Sequence, residues 1–375
     1  MRLQLAVTAV FAIALPMPAM AQVNAGNSKA NALVPFTVTP VATFDAPWAI
    51  TFLPDGRLLV NEKPGRMFIV TQRGAKTAVG GVPKVAASGQ LGLHDIAIAP
   101  DFKTSRAVFL TFAEPGSGGS GLALARARLV ENGPSARLDG LQVIWRQTPK
   151  GKGGHPGGII AFAPDGRSLF LTSGDRQRFT PAQDPEQALG KVLRLNLDGT
   201  AFAGNPQAKA GGVRAQTWSL GHRNPLGIAF APDGQLWEIE MGPKGGDELN
   251  RILPGKNYGW PTVSYGINYD GSPIPQHPAR PEFQQPAIYW NPVIAPAGLA
   301  FYTGRLFPAW RGSAFIGGLS SEALIRVSFD GQGGAREADR FAMGKRIRDV
   351  AAGPDGALWV IEDEEGGRLL RLTPR

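Results

Sequence analysis

Short apolar runs separated by polar turns recur along most of the chain. The same turn phrase joins them three times, at Phe52-Leu-Pro-Asp-Gly56, Phe162-Ala-Pro-Asp-Gly166 and Phe230-Ala-Pro-Asp-Gly234. Proline presets φ for a turn, aspartate binds the local backbone, and glycine adopts the positive φ. Because apolar runs such as 49–52 and 58–60 flank the turns, each copy predicts a β-hairpin.

Degenerate copies extend this repeat through the chain. Residues 352–356 lack the Phe, residues 98–102 lack the Gly, and residues 298–304 keep only the strand. Self-similarity at roughly 45–70 residues indicates one sheet per repeat. We therefore predict an all-β fold, a six-bladed β-propeller of four-stranded antiparallel blades. The propeller domain is expected to span residues 41–375, after a flexible polar lead-in at 22–40.

The N-terminus has the pattern of a cleavable secretory signal. Arg2 precedes an apolar stretch at 3–15, and Ala19-Met-Ala21 is a small-x-small cleavage site. We predict a signal peptide at residues 1–21, cleavage near Ala21, and a periplasmic or secreted protein. The chain has no cysteine and, beyond this short stretch, no candidate membrane span.

The charge pattern argues against a nucleic-acid partner. The formal net charge is +9, but the basic residues are dispersed and form no run of five. Residues 116–121 formally match a dinucleotide fingerprint, yet an alternating strand pattern follows them and not a helix. We therefore expect no nucleotide site there.

One histidine and one aspartate are the strongest candidates for catalysis. His155 lies between two Gly-Gly pairs, and Asp175 follows the next predicted strand. One hairpin would bring the carboxylate beside the imidazole, where it would orient the ring and raise its basicity. The alternative interpretation is a loop histidine without a role.

Three further groups are candidates for binding. Arg223 and Asn224 offer a fork of donors beside an amide, or only a structural turn. Arg346 and Arg348 project from one face of a strand, which makes either an anion grip or an exposed face. The acidic loop at 240–248 suits Ca²⁺ or is simply solvated.

These groups, in this order on a repeated β framework, resemble one family. Its most specific stretches here are Gly221-His-Arg-Asn-Pro-Leu-Gly227, Gly242-Pro-Lys-Gly-Gly-Asp-Glu-Leu-Asn250 and Asn257-Tyr-Gly-Trp-Pro261. The chain resembles the soluble pyrroloquinoline quinone (PQQ)-dependent sugar dehydrogenases, the glucose/sorbosone dehydrogenase family, and especially the periplasmic aldose sugar dehydrogenases. The family fold is a six-bladed propeller, as the repeats predict.

The resemblance implies a role for each matching residue. His155 would be the general base, Asp175 would orient it, and Arg223 would stabilise developing charge. PQQ would be held by Gln90, Arg223, Asn224, Tyr269, Arg346 and Arg348. The carbonyls of Gly242 and Pro243 would bind one Ca²⁺, and Glu248 and Tyr258 a second, structural one. Ser320 stands near the place where family members usually carry a lysine.

The implied activity is PQQ- and calcium-dependent oxidation of the anomeric hydroxyl of an aldose to a lactone. The expected partners are a small-molecule sugar and an external electron acceptor, with a monomeric or homodimeric protein. Two other functions remain open from the residues: a calcium-dependent lactonase, and a binding propeller without cofactor. Fold alone does not choose among them.

Overall fold

A computed structural model describes residues 23–375. The predicted signal peptide at residues 1–21 lies outside the described residues. Within the described part, no helix is long and apolar enough to cross a membrane.

Short strands dominate the described chain. In order they are β1 (Val23–Asn24), β2 (Phe36–Asp45), β3 (Pro47–Phe52), β4 (Leu58–Glu62), β5 (Arg66–Val70), β6 (Lys76–Gly80), β7 (Leu93–Ile98), β8 (Ala107–Gly116), β9 (Gly119–Asn132), β10 (Ser135–Arg146), β11 (Gly157–Phe162), β12 (Ser168–Ser173), β13 (Lys191–Asn196), β14 (Thr217–Leu220), β15 (Pro225–Phe230), β16 (Leu236–Glu240), β17 (Asp247–Arg251), β18 (Ile288–Trp290), β19 (Pro296–Phe301), β20 (Ala314–Gly318), β21 (Ala323–Phe329), β22 (Ala335–Ala342), β23 (Ile347–Ala352), β24 (Leu358–Glu362) and β25 (Glu365–Pro374). Helical segments are single turns: α1 (Phe102–Ser105), α2 (Gly212–Gln216), and the 3-10 turns Thr180–Gln183, His277–Ala279 and Pro308–Trp310.

Hydrogen bonds join these strands into five sheets. Three sheets have four strands, with the orders β11-β12-β13-β14, β19-β20-β21-β22 and β2-β25-β24-β23. A fourth sheet, β1-β18-β17-β16-β15, adds a short fifth strand at its edge. The last sheet has eight strands, because a parallel pair of β6 and β10 joins two four-stranded halves.

The first strand of each four-stranded unit lies at the centre of the molecule. These inner strands are β3, β7, β11, β15, β19 and β23, and each contacts the next in chain order. Strand β23 contacts β3, so the series closes on itself. The architecture is therefore all-β and propeller-like, as the repeats predict.

The predicted lead-in at residues 22–40 is wrong as a boundary. Strand β2 begins inside it at Phe36 and pairs antiparallel with β25, the last strand of the chain. Strand β1 pairs in parallel with β18. The sequence signal is weak because most of β2 is exposed, and only Phe36 and Phe44 are buried.

The Pro-Asp-Gly turns form hairpins by the expected chemistry. Asp55, Asp165, Asp233 and Asp355 each accept a hydrogen bond from the main-chain N–H two residues later. The copy without glycine differs, since Asp101 instead precedes the single turn of α1. These turns lie away from the ends of the inner strands that carry the candidate site.

Candidate functional site

A buried histidine–aspartate pair lies where β11 and β12 meet. Gly157 pairs with Ser173 in the antiparallel register, so the segments just before β11 and just after β12 are neighbours. The Nδ1 atom of His155 lies 2.7 Å from Oδ1 of Asp175. The hairpin therefore brings the two residues together as the sequence predicts.

Neutral donors hold the Asp175 carboxylate. The indole N–H of Trp260 donates to Oδ2 at 2.7 Å, and the main-chain N–H of Gln177 donates to Oδ1 at 2.8 Å. Asp175 is fully buried. With Nδ1 donating to this carboxylate, Nε2 of His155 carries the lone pair and is the basic atom.

The surroundings keep the imidazole neutral. Burial lowers the pKa of His155, the Asp175 carboxylate opposes that effect, and the positive charges of Arg223 and Arg176 reinforce it. The pKa therefore lies below the ordinary value of 6.5. A neutral ring near pH 7 is ready to accept a proton.

The main chain around His155 is held in a strained conformation. His155 has a φ of 48°, and its N–H donates to Oε1 of Gln90 at 2.7 Å. The buried guanidinium of Arg176 donates to the carbonyl oxygens of Gly153 at 2.8 Å and Gly154 at 3.1 Å. These contacts fix the glycine loop and with it the imidazole. Sequence reasoning assigned no role to Arg176.

Arg223 adjoins this pair from the loop between β14 and β15, and its main-chain carbonyl accepts the N–H of Asp175 at 2.8 Å. Its Nη1 donates to the carbonyl oxygens of Met241 at 2.9 Å and Gly242 at 2.6 Å. The guanidinium carbon lies 5.2 Å from the ring centre of Trp260. Its Nε is buried and has no hydrogen-bond partner among the described residues.

Two predicted cofactor neighbours surround Arg223. Asn224 is buried, and its Oδ1 accepts a weak bond from the N–H of Gly157 at 3.4 Å. Tyr269 is 72% exposed, and its hydroxyl accepts from Nη2 of Arg223 at 3.4 Å. Tyr269 therefore lies at the solvent-exposed rim of the candidate site, whereas Asn224 lies in its buried interior.

Arg346 and Arg348 share one carboxylate. Nε of Arg346 donates to Oδ2 of Asp363 at 2.9 Å, and Nε of Arg348 donates to Oδ1 at 3.0 Å. Burial raises the pKa of Asp363, but the two guanidinium groups outweigh it and hold that pKa below its usual value. Arg348 also lies 4.1 Å over the ring of Trp48.

A cavity of 320 Å³ lies between Asn224 and the Arg346–Arg348 pair, whereas Arg223 and Tyr269 are not part of its lining. It is lined by Ala46, Trp48, Lys63, Gly89, Gln90, Pro156, Asn224, Leu226, Met241, Ala295, Leu319, Arg346, Arg348, Asp363 and Glu364. Four predicted cofactor residues, Gln90, Asn224, Arg346 and Arg348, thus line one space next to His155. Sequence reasoning missed Trp48, Lys63 and Asp363. Ser320 supplies no cation, and Lys63 enters the lining from the end of β4.

The first predicted calcium site already has a cationic neighbour. The carbonyl of Gly242 accepts from Arg223, as described above, and the N–H of Gly242 donates to Asp247. A carbonyl oxygen has two lone pairs, so a metal ion can share Gly242 with the guanidinium. The two positive charges would repel each other there.

The second predicted calcium site borders a buried acidic cluster. Oxygens of Glu238, Glu240 and Glu248 each lie within 3.3 Å of Nδ2 of Asn250. His222 completes the cluster, with Nδ1 at 3.3 Å from Glu240. Burial, followed by the charge of Glu240, raises the pKa of Glu238 well above its usual value.

Tyr258 adjoins this cluster through its ring and not through its hydroxyl. The ring stacks on His222 with 4.7 Å between centres. The hydroxyl donates to the carbonyl of Arg251 and accepts from the N–H of Leu253 at 2.9 Å. Any metal ligand from Tyr258 therefore has to be its main-chain carbonyl.

The sequence is similar to a family of sugar dehydrogenases. The family model for glucose/sorbosone dehydrogenase matches residues 44–371. The chain is 40% identical to the aldose sugar dehydrogenase YliI of Escherichia coli over 345 residues, which cover 88% of this chain and 91% of that protein.

Solved structures agree with that match. A glucose dehydrogenase crystal structure superposes with a TM-score of 0.85 at 44% identity, covering 90% of this chain and all of that one. The PQQ-bound aldose sugar dehydrogenase of Streptomyces coelicolor superposes with a TM-score of 0.74 at 29% identity, covering 92% of this chain and all of that one. The chain belongs to the glucose/sorbosone dehydrogenase family.

Proposed function

We propose that this protein is a PQQ- and calcium-dependent dehydrogenase that oxidises the anomeric hydroxyl of aldose sugars to lactones. The observation that carries the proposal is the buried His155–Asp175 pair beside a cavity lined by Arg346 and Arg348. The relatives include an aldose sugar dehydrogenase and a structure with bound PQQ.

The residues of the cavity fit PQQ, a planar quinone with three carboxylic acids. The lining carries three cations, Lys63, Arg346 and Arg348, against two carboxylates. Guanidinium groups suit carboxylates, and the buried Nε of Arg223, which has no acceptor within residues 23–375, is a donor available to a ligand. Asp363 already accepts hydrogen bonds from the guanidinium groups of Arg346 and Arg348. A cofactor carboxylate would therefore share these donors with Asp363.

The chain's own chemistry is proton transfer and orientation. Nε2 of His155 removes the proton of the C1 hydroxyl, and Asp175 stabilises the imidazolium that forms. Arg223, held on two carbonyls, offers a fixed positive charge where negative charge develops. PQQ, when bound, supplies the two-electron oxidant that accepts the hydrogen of C1.

Calcium has two proposed positions. The carbonyls of Gly242 and Pro243 would hold one ion, which would supply positive charge near the cofactor. Glu248, with the carbonyl of Tyr258, would hold the second beside the acidic cluster. No lysine or arginine forms an ion pair with Glu238, Glu240 or Glu248 within the described residues, so a divalent cation would balance these buried charges.

We further propose a six-bladed propeller that is exported from the cytoplasm. Taking the eight-stranded sheet as two blades gives a six-bladed propeller. Residues 1–21 would direct the protein to the periplasm, where an external acceptor removes the electrons. The protein would act as a monomer or a homodimer.

A cofactor titration tests the proposal. Protein treated with a chelator is titrated with PQQ, with and without Ca²⁺, and then given aldoses and a redox dye. We expect calcium-dependent, stoichiometric binding and sugar-driven dye bleaching. The variant R348M should bind PQQ about 10- to 100-fold more weakly, the cost of losing a charged hydrogen-bond donor. The matched control R311M removes an exposed arginine outside the cavity and should bind normally.

Two outcomes would contradict the proposal. Absence of PQQ binding at micromolar concentration would favour a binding propeller without cofactor. Calcium-dependent hydrolysis of a lactone without any dye reduction would favour the lactonase.

A further inference from the structure

A buried lysine holds the loop between β12 and β13, which follows Asp175. Lys191, the first residue of β13, is fully buried. Its ammonium donates to three main-chain carbonyl oxygens, those of Leu189 at 2.7 Å, Pro181 at 2.9 Å and Ala182 at 3.0 Å. An ammonium has three N–H donors, so all of them are used. We call these three bonds the lysine clamp, and the segment 180–190 the clamped loop.

We propose that Lys191 is a positioning residue for catalysis, because the lysine clamp sets the places of both the Asp175 carboxylate and the Arg223 guanidinium. The inference rests on the proposed function, in which Asp175 stabilises the imidazolium and Arg223 faces developing negative charge. Lys191 is not part of the lining of the cavity, so it acts only through these other residues.

The clamped loop holds the two residues that directly precede Arg223. The carbonyl of Ala182, already bound to the ammonium, also accepts the N–H of Gly221 at 3.1 Å. The carbonyl of Gly190 accepts the N–H of His222 at 3.2 Å. The main chain that leads into Arg223 is therefore fixed by the clamped loop.

The clamped loop also holds Trp260. The side-chain amide of Gln183 donates to the carbonyl of Trp260 at 2.7 Å and exchanges hydrogen bonds of 2.7 and 3.1 Å with the side chain of Asn257. The indole of Trp260 in turn donates to Asp175 at 2.7 Å. A displacement of the loop would therefore move the indole relative to the carboxylate that orients His155.

The lysine clamp depends on the charge of Lys191. Burial lowers the pKa of this ammonium to about 7, and the charge of Asp184 opposes the effect of burial. The neutral amine has only two N–H donors for three carbonyls, and its lone pair would face the third carbonyl oxygen. The clamp is therefore complete below this pKa and loses one bond as pH rises through it.

Other titratable groups on the packed segments have partners of their own. His222 lies against the acidic cluster, and Arg223 donates to main-chain carbonyls. Burial raises the pKa of Tyr258. Within residues 23–375, Asp184 is the group whose charge acts on Lys191. A transition of the clamped loop near pH 7 would therefore report the ammonium of Lys191.

The indole signal of Trp260 tests the clamp without turnover. Protein with ¹⁵N-labelled tryptophan is titrated by NMR, and the variant W260F identifies the signal. In the parent protein we expect a shift with a midpoint near pH 7, separate from any change due to His155, whose pKa lies below 6.5. In K191M the signal should be displaced and should have no transition near pH 7. The matched control K209M changes an exposed lysine between β13 and β14 and should titrate like the parent.

Kinetics test the role in catalysis. With saturating PQQ and Ca²⁺ at a pH of about 6.5, K191M should lower kcat for glucose about fivefold and change KM less than about twofold. The reason is that the groups it displaces act in the transition state and not in binding the sugar. Above a pH of about 8 the difference from the parent should shrink, because the parent clamp is then incomplete as well. K209M should match the parent at every pH.

A second variant covers the case in which K191M does not fold. Q183M leaves the lysine clamp intact but removes the bonds from Gln183 to Asn257 and Trp260. The Trp260 signal of Q183M should lack the transition near pH 7, and kcat should fall about twofold, because only the path to Asp175 is cut.

The outcomes separate this inference from the proposed function. A Trp260 signal that titrates in K191M as in the parent, or equal losses of kcat in K191M and K209M, would overturn the positioning role. The expected NMR pattern in a parent protein without dehydrogenase activity would keep the lysine clamp and refute the proposed function. Sugar oxidation at the parent rate in both K191M and Q183M would keep the proposed function and refute the positioning role.

Discussion

Two aspartates near the central cavity, the buried Asp175 and the half-buried Asp363, have opposite kinds of partner. Asp175 accepts from an imidazole, an indole and a main-chain N–H, none of which is formally charged when His155 is neutral. Asp363 accepts from two guanidinium groups, which stay charged at any ordinary pH. Asp175 therefore has no positively charged hydrogen-bond partner until His155 is protonated, whereas Asp363 already pairs with two positive charges.

The two carboxylates therefore differ in how their surroundings change when a proton is transferred. When His155 takes up a proton, the new imidazolium gains a buried partner at 2.7 Å. Nothing comparable happens at Asp363, whose charge is already neutralised. We infer that the Asp175 side drives proton transfer and the Asp363 side sets the affinity for an anionic cofactor. Four variants, H155A, D175N, D363N and W260F, test this division.

Removing the base has the largest predicted effect. H155A should lower kcat about 10²- to 10⁴-fold, because general-base catalysis by a positioned side chain is lost. The affinity for PQQ, measured by titration, should change little, since the proposed cofactor contacts line the cavity and His155 is not among them. A large loss of PQQ affinity with normal turnover of the loaded protein would place His155 among the binding residues instead.

Neutralising Asp175 comes next. D175N should lower kcat about 10- to 100-fold, the value of a hydrogen bond to a charged group. The carboxylate raises the pKa of His155 against burial, so its loss lowers that pKa further. Turnover needs the neutral ring and falls below this pKa. The acid limb of the pH–rate profile should therefore move to lower pH in D175N, and a shift to higher pH would contradict the assignment.

Neutralising Asp363 should act on binding and stability. D363N frees both arginines for the cofactor and should tighten PQQ binding about fivefold, roughly 1 kcal/mol for a partly accessible ion pair. It should also lower the free energy of unfolding by about 1–3 kcal/mol, because Arg348 becomes a buried, unpaired charge. Weaker PQQ binding in D363N, measured by titration, would show that Asp363 helps to build the site.

The pH dependence of stability has a defined sign at Asp363. Its pKa is lower in the folded protein than in the unfolded one. The ion pairs therefore stabilise the fold above the unfolded value near 4, and this stability is lost as pH falls through the folded value. In D363N that part of the acid-induced loss should vanish, which denaturant unfolding at a series of pH values will report.

The smallest effect is expected at Trp260. W260F keeps an aromatic ring under Arg223 but removes the indole donor to Asp175. Trp260 acts on His155 only through Asp175, which keeps its bonds to His155 and to the N–H of Gln177, so we expect a loss of only about 2- to 4-fold in kcat, less than the full value of the hydrogen bond. An effect as large as that of D175N would mean that the indole, and not the carboxylate, orients His155.

The sequence predicts local features of this molecule well. The Pro-Asp-Gly turns depend only on neighbouring residues, and each aspartate makes the bond that its position predicts. The pairing of His155 with Asp175 depends on one hairpin, 20 residues long, and follows from the same logic.

Contacts between residues that are far apart in the sequence cannot be predicted from such local patterns. Trp260 reaches Asp175 across 85 residues, and Lys63 enters the arginine cavity from another sheet. Asp363 precedes the last strand, where nothing local indicates a partner for Arg348. Strand β2 was missed for another reason, since an exposed edge strand lacks the alternation that marks half-buried strands.

We propose that His155, held by Asp175, starts the oxidation of a sugar at C1. The most direct test mixes PQQ-loaded protein anaerobically with glucose and follows the absorbance of the bound quinone in a single turnover. We predict reduction by glucose, slower reduction by glucose deuterated at C1, and almost none in H155A despite full cofactor occupancy. If sugar reduced the quinone in H155A at the parent rate, His155 would not be the base.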